Sequence, residues 1–272
     1  MIDLKNKVVI ITGGSSGIGK ACAIEFAKAG YKVAITGRHA STLTTAALEI
    51  KSVANAEVLE IVSDVSQEQD CKQIIDKTLY HFGKIDVLIN NAGVSMRAVF
   101  IDTDLSVIKQ LMDTNFWGTV YCTKYALPEI LKNKGSVIGI SSIAGYLGLP
   151  GRTGYSASKF AMHGFLGSLR AENLKTGLHV MICCPGYTES NIRKTALNKS
   201  GNAQGDTPLD EKKLMSAELV ARHIVHGVAK RKRTIILTRQ GKISVILGKF
   251  FPAWLDKLAY NTIAKESDSP FK

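Results

Sequence analysis

The chain has 272 residues, 45% of them hydrophobic, an ordinary composition for a soluble globular protein and enough for one large domain with a full core. Its net charge of +12 raises nucleic acid as a partner, but from Lys230 onward ten Lys or Arg face three Asp or Glu, so more than half of the excess sits in a tail and the body is only mildly basic. No nucleic-acid partner is therefore expected.

The N-terminus reaches only the short run Val8–Ile11 before Gly13, too little for a signal peptide or a membrane span, and predicts a cytoplasmic protein. From there apolar runs near 7–12, 32–37, 57–62, 86–90, 136–141, 178–183 and 233–238 read as strands. Helix-period segments fall between them near 17–29, 41–52, 67–82, 104–132, 155–175 and 216–229. Strands alternating with helices predict an α/β fold, a doubly wound seven-stranded parallel sheet of the Rossmann type in a single domain. Residues 187–213 are polar, carry Gly201, Gly205 and Pro208, and are too long for an ordinary connection; they predict a mobile substrate lid.

Beyond the last strand, Ile243, Ile246, Leu247, Phe250, Phe251, Trp254, Leu255 and Leu258 recur at helical spacing, with Lys242, Lys249, Asp256 and Lys257 among them. The reading is a Rossmann-type body over 1–241 and a basic amphipathic extension over 242–272, bent or restarted at Pro252. Three uses fit that stripe: the substrate mouth, a partner subunit, or peripheral contact with a membrane.

Several residues carry chemistry. Thr12-Gly13-Gly14-Ser15-Ser16-Gly17-Ile18-Gly19 follows the first strand and opens the first helix, where backbone N–H groups can approach an anionic phosphate at the positive helix end. Its spacing differs from the commoner Gly-x-Gly-x-x-Gly. The second strand ends in Arg38, where an acid would hold the ribose hydroxyls of NAD; a guanidinium there favours the 2′-phosphate of NADP(H), with Lys20 and His39 as further nearby charge. Tyr155 and Lys159 lie four apart, so a helix stacks them on one face and sets an ammonium where it makes the phenol more acidic.

The five cysteines (22, 71, 122, 183, 184) form no Cys-x-x-Cys pair and read as buried free thiols. The six histidines show no metal-ligand spacing, and no catalytic metal is expected. Lys230–Arg233 reads as cations closing a helix rather than as a targeting patch.

Taken in order, Gly13 to Gly19, Asn90-Asn91-Ala92-Gly93, Ser142 and Tyr155…Lys159 resemble the short-chain dehydrogenase/reductase family over about residues 5–240. The resemblance implies that Asp64, with Val65, contacts the adenine, and that Asn90 to Gly93, through Asn91, Ala92 and Gly93, steadies the sheet beside the cofactor. Pro185, Gly186 and Thr188 match the segment that contacts the nicotinamide, and Asn115 matches an asparagine that holds a water in a proton relay. The catalytic set is then Asn115, Ser142, Tyr155 and Lys159, with Tyr155 as acid/base and Ser142 as oxyanion donor. Tyr155 and Lys159 also meet the cofactor.

The expected activity is NADP(H)-dependent interconversion of a ketone or aldehyde with an alcohol. The expected substrate is an apolar small molecule, on the strength of the tail and of Ile143, Tyr146, Leu147 and Leu149. A homo-oligomer, dimer or tetramer, is expected. Two other readings keep the dinucleotide site without turnover, a redox sensor and a membrane-associated interaction protein.

Overall fold

A computed structural model describes residues 6–189, 191–205, 214–266 and 269–271. Strands β1 (Val8–Ile11), β2 (Lys32–Gly37), β3 (Val58–Val62), β4 (Val87–Asn90), β5 (Ser136–Ile140), β6 (His179–Cys184) and β7 (Thr234–Ile236) form one sheet in the order β3-β2-β1-β4-β5-β6-β7. Every pairing is parallel. Helices cover both faces, which is why β1, β4, β5 and β6 are buried along their whole length and read as continuous apolar runs rather than alternating ones.

On one face α1 (Gly17–Lys28) packs against α2 (Ala40–Ala54) and α7 (Ala217–Ala229) over a core that includes Phe26, Ile35, Ile89 and Ile224. On the other, α3 (Glu68–Phe82), α5 (Gly118–Lys132) and α6 (Thr153–Glu172) close over Ile10, Leu88, Val137 and Leu166.

The expected helix over 104–132 is continuous but not uniform. After α4 (Leu105–Leu111) a π-helical segment, Met112–Trp117, precedes α5. The Thr119 hydroxyl donates to the Asn115 carbonyl at 2.9 Å, a side-chain bond at the widened turn. The seventh strand is shorter than expected, because Thr238 leaves it to cap α8 (Arg239–Phe250), accepting from the Gly241 N–H at 3.0 Å.

The extension folds as α8 and α9 (Pro252–Ala264), with the break at Phe251 before Pro252. Its inner side lies on the turn after β5: a Cβ on Gly248 would stand 2.2 Å from Leu147, and Val245 and Leu255 are buried. Beyond α9, Glu266 pairs with Arg97 at 2.5 Å, Phe271 stacks on Tyr260, and Pro270 lies against Gly151. The outer side leaves Ile243, Ile246, Phe250, Phe251, Trp254 and Leu258 exposed. Among the described residues no helix is long and apolar enough to cross a membrane.

Of the polar segment 187–213, residues 190 and 206–213 lie outside the described part. The rest is tied down: Thr188 bridges Met215, and Leu197 bridges both Met96 and Ala203. All five cysteines are free and buried. Arg231 reaches across to the carbonyls of Gly177 and Lys134, so this cation of the Lys230–Arg233 run joins loops at the sheet's end.

Candidate active site

The strand order reverses between β1 and β4, and parallel strands open a crevice at their carboxyl ends at such a point. Both edges of the crevice are glycine-rich and stitched together. Asn91 donates its amide to the carbonyls of Thr12 (2.9 Å) and Gly13 (3.1 Å), while the Thr12 hydroxyl accepts from the N–H groups of Asn91 and Ala92. A Cβ on Gly19 would stand 2.1 Å from the Gly13 carbonyl oxygen and 2.5 Å from the Asn91 amide, and Gly13 and Gly17 hold left-handed backbones. The turn thus exists only with glycine, and at the start of α1 the N-cap residue Ser16 makes no side-chain capping hydrogen bond, leaving the first N–H groups unclaimed by it. These features fit a dinucleotide with its pyrophosphate at the helix end.

Around that turn, Ser15 approaches the end of β2 at Gly37, and Ile18 packs on the core beneath. Arg38 follows β2 and is exposed. Lys20 forms an ion pair with Glu49 of α2 at 2.7 Å. His39 is the capping position of α2. Asp64 is half-buried, its carboxylate accepting from the Ser66 N–H at 2.9 Å, and Val65 beside it packs on Gly118. Gly186, with a left-handed backbone, meets the Thr238 side chain, and Thr188 accepts from Arg193 at 2.9 Å through its carbonyl. Pro185 lies between Cys184 and that turn.

The four expected catalytic residues converge. Tyr155 and Lys159 lie one turn apart on α6, both almost wholly buried. Ser142 follows β5, its hydroxyl close enough to the Tyr155 phenol to act on it and its oxygen accepting from the Ala144 N–H at 3.2 Å. The π-helical turn aims Asn115 inward, where its amide oxygen accepts from the Val94 N–H (2.8 Å) and its NH2 donates to the Val94 carbonyl and to Ser158, each at 2.9 Å. Gly93 sits against this pair; a Cβ there would be 3.0 Å from Asn115 Oδ1 and 3.7 Å from Lys159 Nζ.

Burial holds the Tyr155 phenol above its ordinary value, and it is the Ser142 hydroxyl and the Arg152 guanidinium that draw it back. The Lys159 Nζ donates to the Ile140 carbonyl at 2.9 Å and stands 5.8 Å from the Tyr155 ring centroid. Burial also brings the Lys159 ammonium down to about 8.

Three neighbours, Ser158, His163 and Arg152, escaped the sequence reading, and Thr12 reads there only as part of the glycine-rich turn. Ser158 links Asn115 to the Tyr155 carbonyl at 2.7 Å, and Thr12 joins the two glycine-rich turns. His163 continues the Tyr155–Lys159 stripe by one more turn, and Arg152 precedes Tyr155 by three residues. The His163 ring meets the Ser141 hydroxyl at 2.7 Å, packs edge-on against Tyr146, and is brought down to about 4 by burial and by Lys159 and Arg170. The four-residue spacing was the available signal for His163. Among the described residues no group of three His, Cys, Asp or Glu is placed to hold a metal.

The family model for short chain dehydrogenases matches residues 7–201. The chain belongs to that family. Its relatives include 11-beta-hydroxysteroid dehydrogenase A of Arachis hypogaea, 40% identical over 77% of this chain and 59% of that protein. In Arabidopsis thaliana, 11-beta-hydroxysteroid dehydrogenase 1A is 34% identical over 96% of this chain and 77% of the relative. The chain thus spans less than two thirds of the peanut protein's length. Among solved structures, a short-chain dehydrogenase/reductase from Burkholderia phymatum in complex with NAD superimposes with a TM-score of 0.83 at 22% identity, covering 93% of this chain and 96% of the other. An alcohol dehydrogenase from Thermococcus sibiricus complexed with 5-hydroxy-NADP gives 0.74 at 24%, covering 85% and 94%.

Proposed function

We propose that this dehydrogenase interconverts a ketone or aldehyde with an alcohol, using NADP(H), with Tyr155 as general acid/base. The observation that carries the reading is the buried Tyr155, one helical turn from Lys159 on α6, with the Ser142 hydroxyl acting on its phenol beside the glycine-lined crevice. Bound across that crevice, the nicotinamide supplies or accepts the hydride.

The chain's own groups then manage charge and protons. In reduction, negative charge grows on the substrate oxygen; Ser142 donates a hydrogen bond to it, and Tyr155 delivers its proton. Lys159, held on the Ile140 carbonyl with its proton affinity near physiological pH, is placed to replace that proton. The Asn115 side chain is committed to Val94 and Ser158, so a relay water would hang on its main-chain carbonyl in the π-helical turn. In oxidation the same groups run backward.

Arg38 supports NADP(H) over NAD(H), because a guanidinium at the end of β2 attracts a 2′-phosphate where a carboxylate would repel it. The names of the hydroxysteroid relatives, together with Ile143 and Leu147 beside Ser142 under α8, support a substrate with an apolar body. The exposed apolar face of α8 and α9, flanked by Lys242, Lys249 and Lys257, supports peripheral contact with an anionic membrane surface.

Tyr155→Phe tests the assignment. The variant removes the transferable proton and leaves the crevice intact, so NADPH should bind with unchanged affinity while carbonyl reduction falls by about two to four orders of magnitude. A Phe variant that keeps most of its kcat would move the acid elsewhere.

A further inference from the structure

Beside Tyr155 lies a small cleft lined by Ser95, Arg97, Arg152, Arg193, Ala196 and Gln204. Three guanidiniums from three separate segments meet there, following β4, opening α6 and following β6. Like charges repel strongly when water is partly excluded, so such a gathering is a destination for anions. Two of the three are already engaged, Arg97 with the Glu266 carboxylate and Arg193 with the Thr188 carbonyl. Arg152 is half-buried, and its side chain has no hydrogen bond or ion pair among the described residues.

A second observation points into the same cleft. Ser95 is 3% exposed, and its hydroxyl has no hydrogen-bond partner. Leaving a buried hydroxyl unpaired costs stability, so an orphan beside a guanidinium marks a place for a ligand's oxygen. The frame around it is rigid: the Leu197 N–H donates to the Ser95 carbonyl at 2.8 Å and the Arg97 N–H to the Leu197 carbonyl at 2.9 Å. The cleft holds about 220 Å3 of empty space including its open mouth, and its enclosed part is about the size of one water. That admits the oxygens of a head group and not the body of a substrate.

We propose that this cleft is an anion subsite, in which Arg152 and Ser95 bind a carboxylate or phosphate carried by the carbonyl substrate. The substrate is then an amphiphile, with its apolar body beneath α8 and its anionic head three residues from the catalytic phenol. The assignment to substrate rests on the Tyr155 reading; the anion site itself does not.

The test uses the full chain saturated with NADP+, so that the dinucleotide's own phosphate positions are filled, and titrates octanoate, octyl phosphate and octanol by calorimetry. The wild type should bind at least one anion about 10-fold more tightly than octanol, and Arg152→Gln should lose about 10- to 100-fold for that anion while octanol is unaffected. Ser95→Ala, a smaller change that keeps the fold if Arg152→Gln does not, should lose about 3- to 10-fold for the same anion. Whichever anion binds more tightly names the head. Octanol binding as tightly as both anions, or both variants binding the anions like the wild type, would overturn the proposal. Anion binding of the expected pattern in a protein that reduces no carbonyl would leave the subsite standing and sink the catalytic reading instead.

Discussion

His163 gives the sharpest quantitative expectation, because its environment is set by the tertiary fold and its titration is read as stability. Its ring sits behind Lys159, bonded to Ser141 and edge-on to Tyr146, and burial with the charges of Lys159 and Arg170 brings it from 6.5 to about 4. Between those values the unfolded chain binds more protons than the folded one, so the histidine's contribution is intact above about pH 6.5 and is lost as the pH falls toward 4. The whole difference corresponds to about 3 kcal/mol. The ring is partly exposed and keeps some hydration, which reduces the expected loss at pH 4.5 to about 2 kcal/mol. Replacing it by His163→Gln keeps a partner for Ser141 but removes the titration. Urea unfolding of both proteins at about pH 7 and about pH 4.5 isolates the effect, since His179 and the carboxylates are common to both and cancel in the double difference. The variant should start less stable at neutral pH, from lost ring packing, and lose about 2 kcal/mol less on acidification. Equal losses in the two proteins would refute the reasoning.

Gly19→Ala should lower dinucleotide affinity by at least about 10-fold and destabilise the protein by about 1–3 kcal/mol, because the added methyl meets the Gly13 carbonyl at 2.1 Å; Gly164→Ala in α6, which meets nothing within 4 Å, is the neutral control, and fluorescence titration with thermal melts reads both. Arg38→Asp should reverse the ratio of kcat/KM for NADPH over NADH, and equal use of both cofactors by the natural enzyme would defeat the NADP(H) assignment. The full chain should sediment with anionic liposomes at low salt, and truncation after Gly241 should abolish this while exposing Leu147; unchanged binding, kinetics and mass in the truncated enzyme would show the extension to be inert.

Much of this protein is legible along the chain because the relevant physics is local. Apolar runs such as Val8–Ile11 and Val87–Asn90 read as strands because each is buried on both faces, and alternation with helix-period segments determined a parallel, doubly wound sheet. Spacing put Tyr155 and Lys159 on one helix face, and the glycines at 13, 17 and 19 announced a turn that no side chain fits. What only the tertiary structure decided concerns neighbours distant in sequence. Asn115 points inward because of a π-helical turn, which leaves no mark in hydrophobic period. Lys159 rests on the Ile140 carbonyl from β5, and Ser142 and Arg152 act on Tyr155, contacts that the four-residue spacing does not disclose. Lys20 was claimed by Glu49 on the next helix. The meeting of Ser95, Arg97, Arg152 and Arg193 joins segments nearly a hundred residues apart. Side-chain electrostatics depends on burial and on through-space distance, and neither is set until the sheet has brought those segments together.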